Sequence, residues 1–178
     1  QAACYGVGLC GHVGGPDYAD FCQAALPFLF QLINLPNARA QENVYVTENA
    51  ISAVTKICRF NDSKFDRVAV LPSWIQSLPI VVDEDEASLT YEFLMDLIDT
   101  RHTSVLGLNN VNIPHLATVM LEALASGVLM SGNPALVSRL MNTVKAVLSS
   151  LDRTLQTTVL SSLTAEKQKT LQSMGLIF

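Results

Sequence analysis

Gly6-Val-Gly-Leu-Cys-Gly11 has the spacing of a dinucleotide-binding turn, in which small residues let backbone amides approach a pyrophosphate. That chemistry needs a strand before the glycines, a helix after them and an acidic residue about 20 positions on. The chain offers too little sequence ahead of Gly6 for a strand, and no strand–helix–strand pattern follows. A nucleotide-binding enzyme is therefore a remote reading. Glycines that let two helices pack closely are the better one. Asp83-Glu84-Asp85-Glu86 offers four carboxylates to a metal or a basic partner. The same run has helix-start chemistry: Asp83 as N-cap, Glu86 three positions on, and negative charge at the positive helix end. The two roles are compatible where the carboxylates stay exposed. Glu92, Asp96 and Asp99 follow at i, i+4 and i+7, on a helix face turned away from Leu94, Leu97 and Ile98.

Other chemistry finds no support. His12, His102 and His115 are far apart and fit no metal spacing. No Gly-x-Ser-x-Gly motif is present. Cys4, Cys10, Cys22 and Cys58 form no Cys-x-x-Cys pair and read as reduced, mostly buried thiols. Trp74 could grip an apolar peptide, but it shares a stripe with Leu71, Ile75 and Leu78 and reads as core. No catalytic residue, cofactor or metal is assigned, and the chain reads as a binding protein rather than an enzyme.

The elements that would carry these residues are helices. Asp20–Asn34 and Asn43–Cys58 read as a helical hairpin joined by a turn-rich link at Leu35–Gln41. Phe21, Ala25, Phe28, Leu29 and Leu32 predict one stripe on the first helix, widened by Leu26, Phe30 and Ile33. Pro27 predicts a kink. On the second helix, Val46, Ala50, Ala53, Val54 and Ile57 predict the inner face, and Glu48, Ser52, Thr55 and Arg59 the outer one. The apolar pair before Pro27 is echoed before Pro72, and Asn112-Ile113-Pro114 gives a third echo. The step is about 40–47 residues, the helix-pair period of HEAT and armadillo arrays. Ile80-Val81-Val82 is too short to argue for strands.

These patterns predict an all-α HEAT-repeat solenoid, with antiparallel helix pairs in a right-handed superhelix. Residues 1–14 read as the second helix of a truncated repeat, 18–60, 66–102 and 111–151 as repeats, and 152–178 as capping helices. Asn133-Pro134 predicts the start of a helix carrying Leu136, Leu140, Val144, Val147 and Leu151. The chain opens on Gln1 and reads as a piece of a longer protein. On such an array the second helices line the concave surface, which makes Glu48, Glu92, Asp96 and Asp99 the candidate protein-binding residues. Arg59 and Arg139 share that face, so its acidic character is local.

Hydrophobic residues make up 49% of the 178-residue chain and charged residues 15%, a balance that fits helices buried on more than one side. The net charge of −5 argues against direct nucleic-acid binding and permits a basic protein partner. No signal peptide or membrane span is visible.

Four stretches then point to a family. Ala2-Ala-Cys-Tyr-Gly-Val-Gly8, Glu42–Ile57, Val70-Leu-Pro-Ser-Trp-Ile-Gln-Ser-Leu-Pro79 and Leu106–Pro114 resemble, in order, the C-terminal region of importin-5-type (importin-β3) karyopherin-β proteins. Leu163-Thr-Ala-Glu-Lys-Gln168 resembles the closing helix of that family. The resemblance implies a nuclear import receptor that carries cargo with basic localisation signals, binds Ran-GTP and FG nucleoporins, and shuttles between cytoplasm and nucleus through the pore. It implies that the principal Ran-binding repeats lie outside this chain. A HEAT scaffold of another assembly, of phosphatase or chromosome-organising type, is the alternative.

Overall fold

The computed structural model describes residues 1–177, and its regular structure is ten α-helices and two short 3-10 turns, with no strand among the described residues. In chain order the helices are α1 (Ala2–Val13), α2 (Ala19–Ile33), α3 (Val44–Phe60), α4 (Arg67–Ser77), α5 (Glu84–Asp99), α6 (Thr103–Leu106), α7 (Ile113–Ser126), α8 (Pro134–Ser150), α9 (Arg153–Ser161) and α10 (Ala165–Ser173). They stack in two layers. One is a row in which α1 packs on α3, α3 on α5 and α5 on α8. In the other, α2 and α4 pack against α3, while α7 packs against α8 and is covered by α9 and α10. This is an all-α HEAT-repeat solenoid. One apolar cluster runs through it from Cys4 to Ile177. Phe178, the last residue of the expected capping segment, lies outside the described residues.

Local chemistry explains most helix ends. Asp66, Asp83, Asn133, Asp152 and Thr164 each accept a backbone N–H of the first turn of the helix they precede. Pro134 follows its cap at the first helical position, where no N–H is needed. Gly127 ends α7 in the left-handed conformation, with φ of 77°.

The row begins with a close approach. Cys4, Gly8 and Gly11 form the buried face of α1. A Cβ on Gly11 would lie 2.8 Å from Ile57 Cγ1 and 3.0 Å from the Ile57 nitrogen. A Cβ on Gly8 would lie 3.2 Å from Lys56 Cδ. These two glycines are what let α1 lie against α3.

Three expectations are corrected. On α2 the buried residues are Ala19, Cys22, Leu26, Leu29 and Ile33, while Phe21 and Phe28 are exposed. A helix apolar nearly all round does not reveal its inner face through periodicity. On α3 every residue from Thr47 to Cys58 is buried, so it has no solvent face over that span. The three echoed prolines are not equivalent: Pro27 and Pro72 lie inside α2 and α4, whereas Pro114 lies in the first turn of α7. The stripe on α4 is as expected. Leu71, Trp74, Ile75 and Leu78 are all buried. Trp74 donates to Thr55 Oγ1 at 2.8 Å and packs against Phe93, which makes it a core residue.

Candidate functional site

The polar residues of α3 meet α5 and the chain leading into it. Glu48 was expected to face outward. Its side chain is instead fully buried, because the 80–83 segment folds over it. Its carboxylate accepts the N–H groups of Val81 at 2.9 Å, Val82 at 3.0 Å and Asp83 at 2.7 Å. Arg39 lies 3.8 Å away and also donates to the carbonyls of Ser77 and Pro79. Burial lowers the Arg39 pKa, and Glu48 partly offsets that. Next along the seam, Asn49 donates to Asp83 at 2.6 Å, Ser52 donates to Glu86, and Lys56 bonds Glu86 at 2.5 Å. Thr55 meets Thr90. This is a buried polar seam with its donors and acceptors matched.

Asp83 and Glu86 belong to this seam rather than to the surface. Asp83 caps α5 by accepting the Glu86 N–H, as the sequence predicts. The reciprocal half of a capping box is replaced, since the Asp83 N–H goes to Glu48 and the Glu86 carboxylate to Lys56 and Ser52. Burial raises the Asp83 pKa, with Glu86 and Glu48 adding to the shift and two hydrogen bonds opposing it. Of the four-carboxylate run only Glu84 and Asp85 are exposed, so it is not a four-ligand site. Among the described residues no group of three or more His, Cys, Asp or Glu is placed to hold a metal ion.

Glu92, Asp96 and Asp99 remain accessible, with side-chain exposures of 38%, 48% and 54%. They lie between two arginines contributed by the neighbouring helices of the row. Arg59 of α3 reaches Glu92 at 3.4 Å and Asp96 Oδ2 at 3.2 Å. Arg139 of α8 reaches Asp96 Oδ1 at 3.0 Å and holds Asp99 through Nε and Nη2. Burial opposes the Arg139 charge, but its bonds to Asp99 and Asp96 outweigh that and raise its pKa. Beside them opens a cleft of about 220 Å³ whose lining includes Arg59, Glu92, Asp96, Asn133 and Arg139. The arrangement presents carboxylates that guanidinium groups already recognise, and it holds no nucleophile–base pair.

Most of the other singled-out residues have structural partners, the exception being His102, whose Nδ1 is buried without a hydrogen bond. Gly6–Gly11 lies inside α1 with Gly8 and Gly11 covered by α3, which leaves no turn to cradle a phosphate. His12 stacks on Phe60, and His115 bonds the Ile75 carbonyl. The four cysteines are free thiols, and burial pushes Cys58 up to about 12.

The importin repeat family matches residues 83–137, from the Asp83 cap through the start of α8. Importin subunit beta-3 of Saccharomyces cerevisiae is 34% identical over 113 residues, which is 63% of this chain and 10% of that protein. The crystal structure of the karyopherin Kap121p bound to the SUMO protease Ulp1p superposes with a TM-score of 0.71 at 27% identity, covering 97% of this chain and 15% of Kap121p. Kap121p bound to Ste12p gives the same TM-score at 24% identity, and shows the fold. The chain therefore spans about a tenth of the length of the curated relative it matches.

The fold is that of the karyopherin HEAT-repeat solenoids, and residues 83–137 match the importin repeat. In sequence the chain is similar to the importin-β3 type.

Proposed function

We propose that this chain forms part of the cargo-binding surface of a nuclear import receptor, and that Glu92, Asp96 and Asp99 receive a basic protein segment there without any bond chemistry. The reading divides the array into helix pairs at 18–60, 66–102 and 111–151. The observation that carries it is the exposure of three carboxylates on one face of α5, already paired with guanidinium groups. Lysine and arginine side chains of a partner would make the same charge-assisted bonds. Kap121p, the structural neighbour, is itself bound to a protein, Ulp1p. Glu48 is no part of this surface because it is buried. Engagement of Ran-GTP and FG nucleoporins, and passage through the nuclear pore, belong in this reading to the longer protein.

The test is fluorescence anisotropy with a labelled Lys/Arg-rich peptide at low salt. The combined E92Q/D96N/D99N variant should bind at least tenfold more weakly than the parent chain. Equal binding by both would sink the assignment to α5. For the longer protein, bound basic cargo should be released by Ran-GTP, and retention of cargo would sink the import-receptor mechanism.

A further inference from the structure

The two joints that α5 makes in the α1–α3–α5–α8 row are built differently. Between α3 and α5 most polar contacts are sealed, and only Arg59, 24% exposed, bridges to Glu92 and Asp96 at the rim. The Lys56–Glu86 side chains are 9% and 5% exposed, and Glu48 is not exposed at all. Between α5 and α8 the ionic contacts stand in solvent: Arg139 is 34% exposed, Asp96 48% and Asp99 54%. The cleft of about 220 Å³ opens at this second joint. Helix α8 packs chiefly on α7 and less on α5. Two further polar links cross between these parts. Ser131 donates to the exposed Glu84 at 2.6 Å, and His115 meets the Ile75 carbonyl at 3.0 Å.

From this contrast we infer that Arg139 is an ionic catch on a hinge: it holds α8 against α5 at low ionic strength and lets go as salt rises, while the α3–α5 seam stays shut. The physical basis is screening. Exposed ion pairs lose strength as the Debye length contracts from about 10 Å at 0.1 M to about 3 Å at 1 M, whereas buried pairs are screened far less. The guanidinium concentrates the joint on one side chain, since it bonds two carboxylates one helical turn apart. Arg59 holds the other oxygen of Asp96 in a pair that is also exposed, so the buried Lys56–Glu86 and Glu48 contacts are what keep α5 fixed to α3 when the catch opens. Helix α7 packs on α8, α9 and α10, so opening is a pivot of the α7–α10 block and not an unfolding of it.

Hydrogen–deuterium exchange of the 178-residue chain at 0.05 M and 0.5 M NaCl tests this. Peptides from the 127–143 region should exchange about threefold faster at high salt, while those from 47–58 should not change. R139Q should show the faster rate already at 0.05 M and lose its salt response. K145Q, on the same helix but lining the α8–α9 cleft, should behave as the parent. Should R139Q fold poorly, D99N supplies the same reading, with a reduced salt response. Salt-independent exchange in 127–143, or an equal salt response in α3 and α8, would overturn the catch.

Discussion

Glu48 Oε2 lies 2.7 Å from the amide nitrogen of Asp83, the residue whose own carboxylate caps α5. One buried side chain of α3 thus fixes the entry of the chain into the next helix of the row, 35 residues later. Replacing Glu48 with Ala leaves three N–H donors without this acceptor. We expect a loss of about 3 kcal/mol or more, with Glu48→Gln costing less because one oxygen remains. Urea denaturation followed by circular dichroism measures both. A loss below about 1 kcal/mol for the alanine variant would mean that water replaces the carboxylate.

The Lys56–Glu86 pair gives a second expectation. Lys56→Met removes one partner of a buried ion pair and should destabilise by about 3–5 kcal/mol. The double variant Lys56→Met/Glu86→Leu should recover much of this, since no unpaired charge is left inside. A double-mutant cycle in denaturant checks it, and a double variant less stable than Lys56→Met would contradict it.

The glycines of α1 should respond in opposite directions. Gly11→Ala places a methyl group against the Ile57 backbone and should loosen α1 from α3, with a cost of about 1–3 kcal/mol. Gly6 has nothing within 4 Å of the corresponding point. Gly6→Ala should therefore stabilise by up to about 1 kcal/mol through helix propensity alone. Thermal melts of the two variants measure the contrast, and equal shifts would refute the packing argument.

Cys58 makes stability fall in alkali. Its thiol is pushed up to about 12 in the native state from an ordinary value of 9.0, chiefly by burial. Between those two values the unfolded chain releases this proton and the native chain keeps it. The native state therefore binds more protons, and stability declines as pH rises, by at most about 1.4 kcal/mol per unit from this one group. Below pH 9 the effect is absent. Cys4 and Cys22 shift in the same direction, so Cys58→Ala should flatten the slope without abolishing it. Denaturation midpoints at pH 8 and pH 10 test the sign.

The parts of this fold that could be read from the chain are those whose cause is local. Leu71, Trp74, Ile75 and Leu78 fall on one helical stripe and are buried together. Asp83 caps the helix it precedes, and Asn133-Pro134 opens α8. What escaped was set by residues distant in sequence. Glu48, Ser52 and Thr55 look like a solvent face because polarity at period 3.6 ordinarily marks one. Their partners at 83, 86 and 90 lie a full helix pair away, and no local pattern announces that two polar faces will be buried against each other. The α2 stripe failed for a different reason: with Phe21, Phe28, Leu26 and Ile33 all apolar, only the position of α3 decides which pair is covered. Glu92, Asp96 and Asp99 were legible as one face. That Arg59 and Arg139 share that face could be read as well, but their bonds to these carboxylates required coordinates.

Helix α3 has no outward side from Thr47 to Cys58. An antibody raised against those twelve residues as a peptide would find nothing to bind on the folded chain. Its signal would count unfolded molecules directly, giving a stability assay that works in a crude lysate and needs neither label nor ligand.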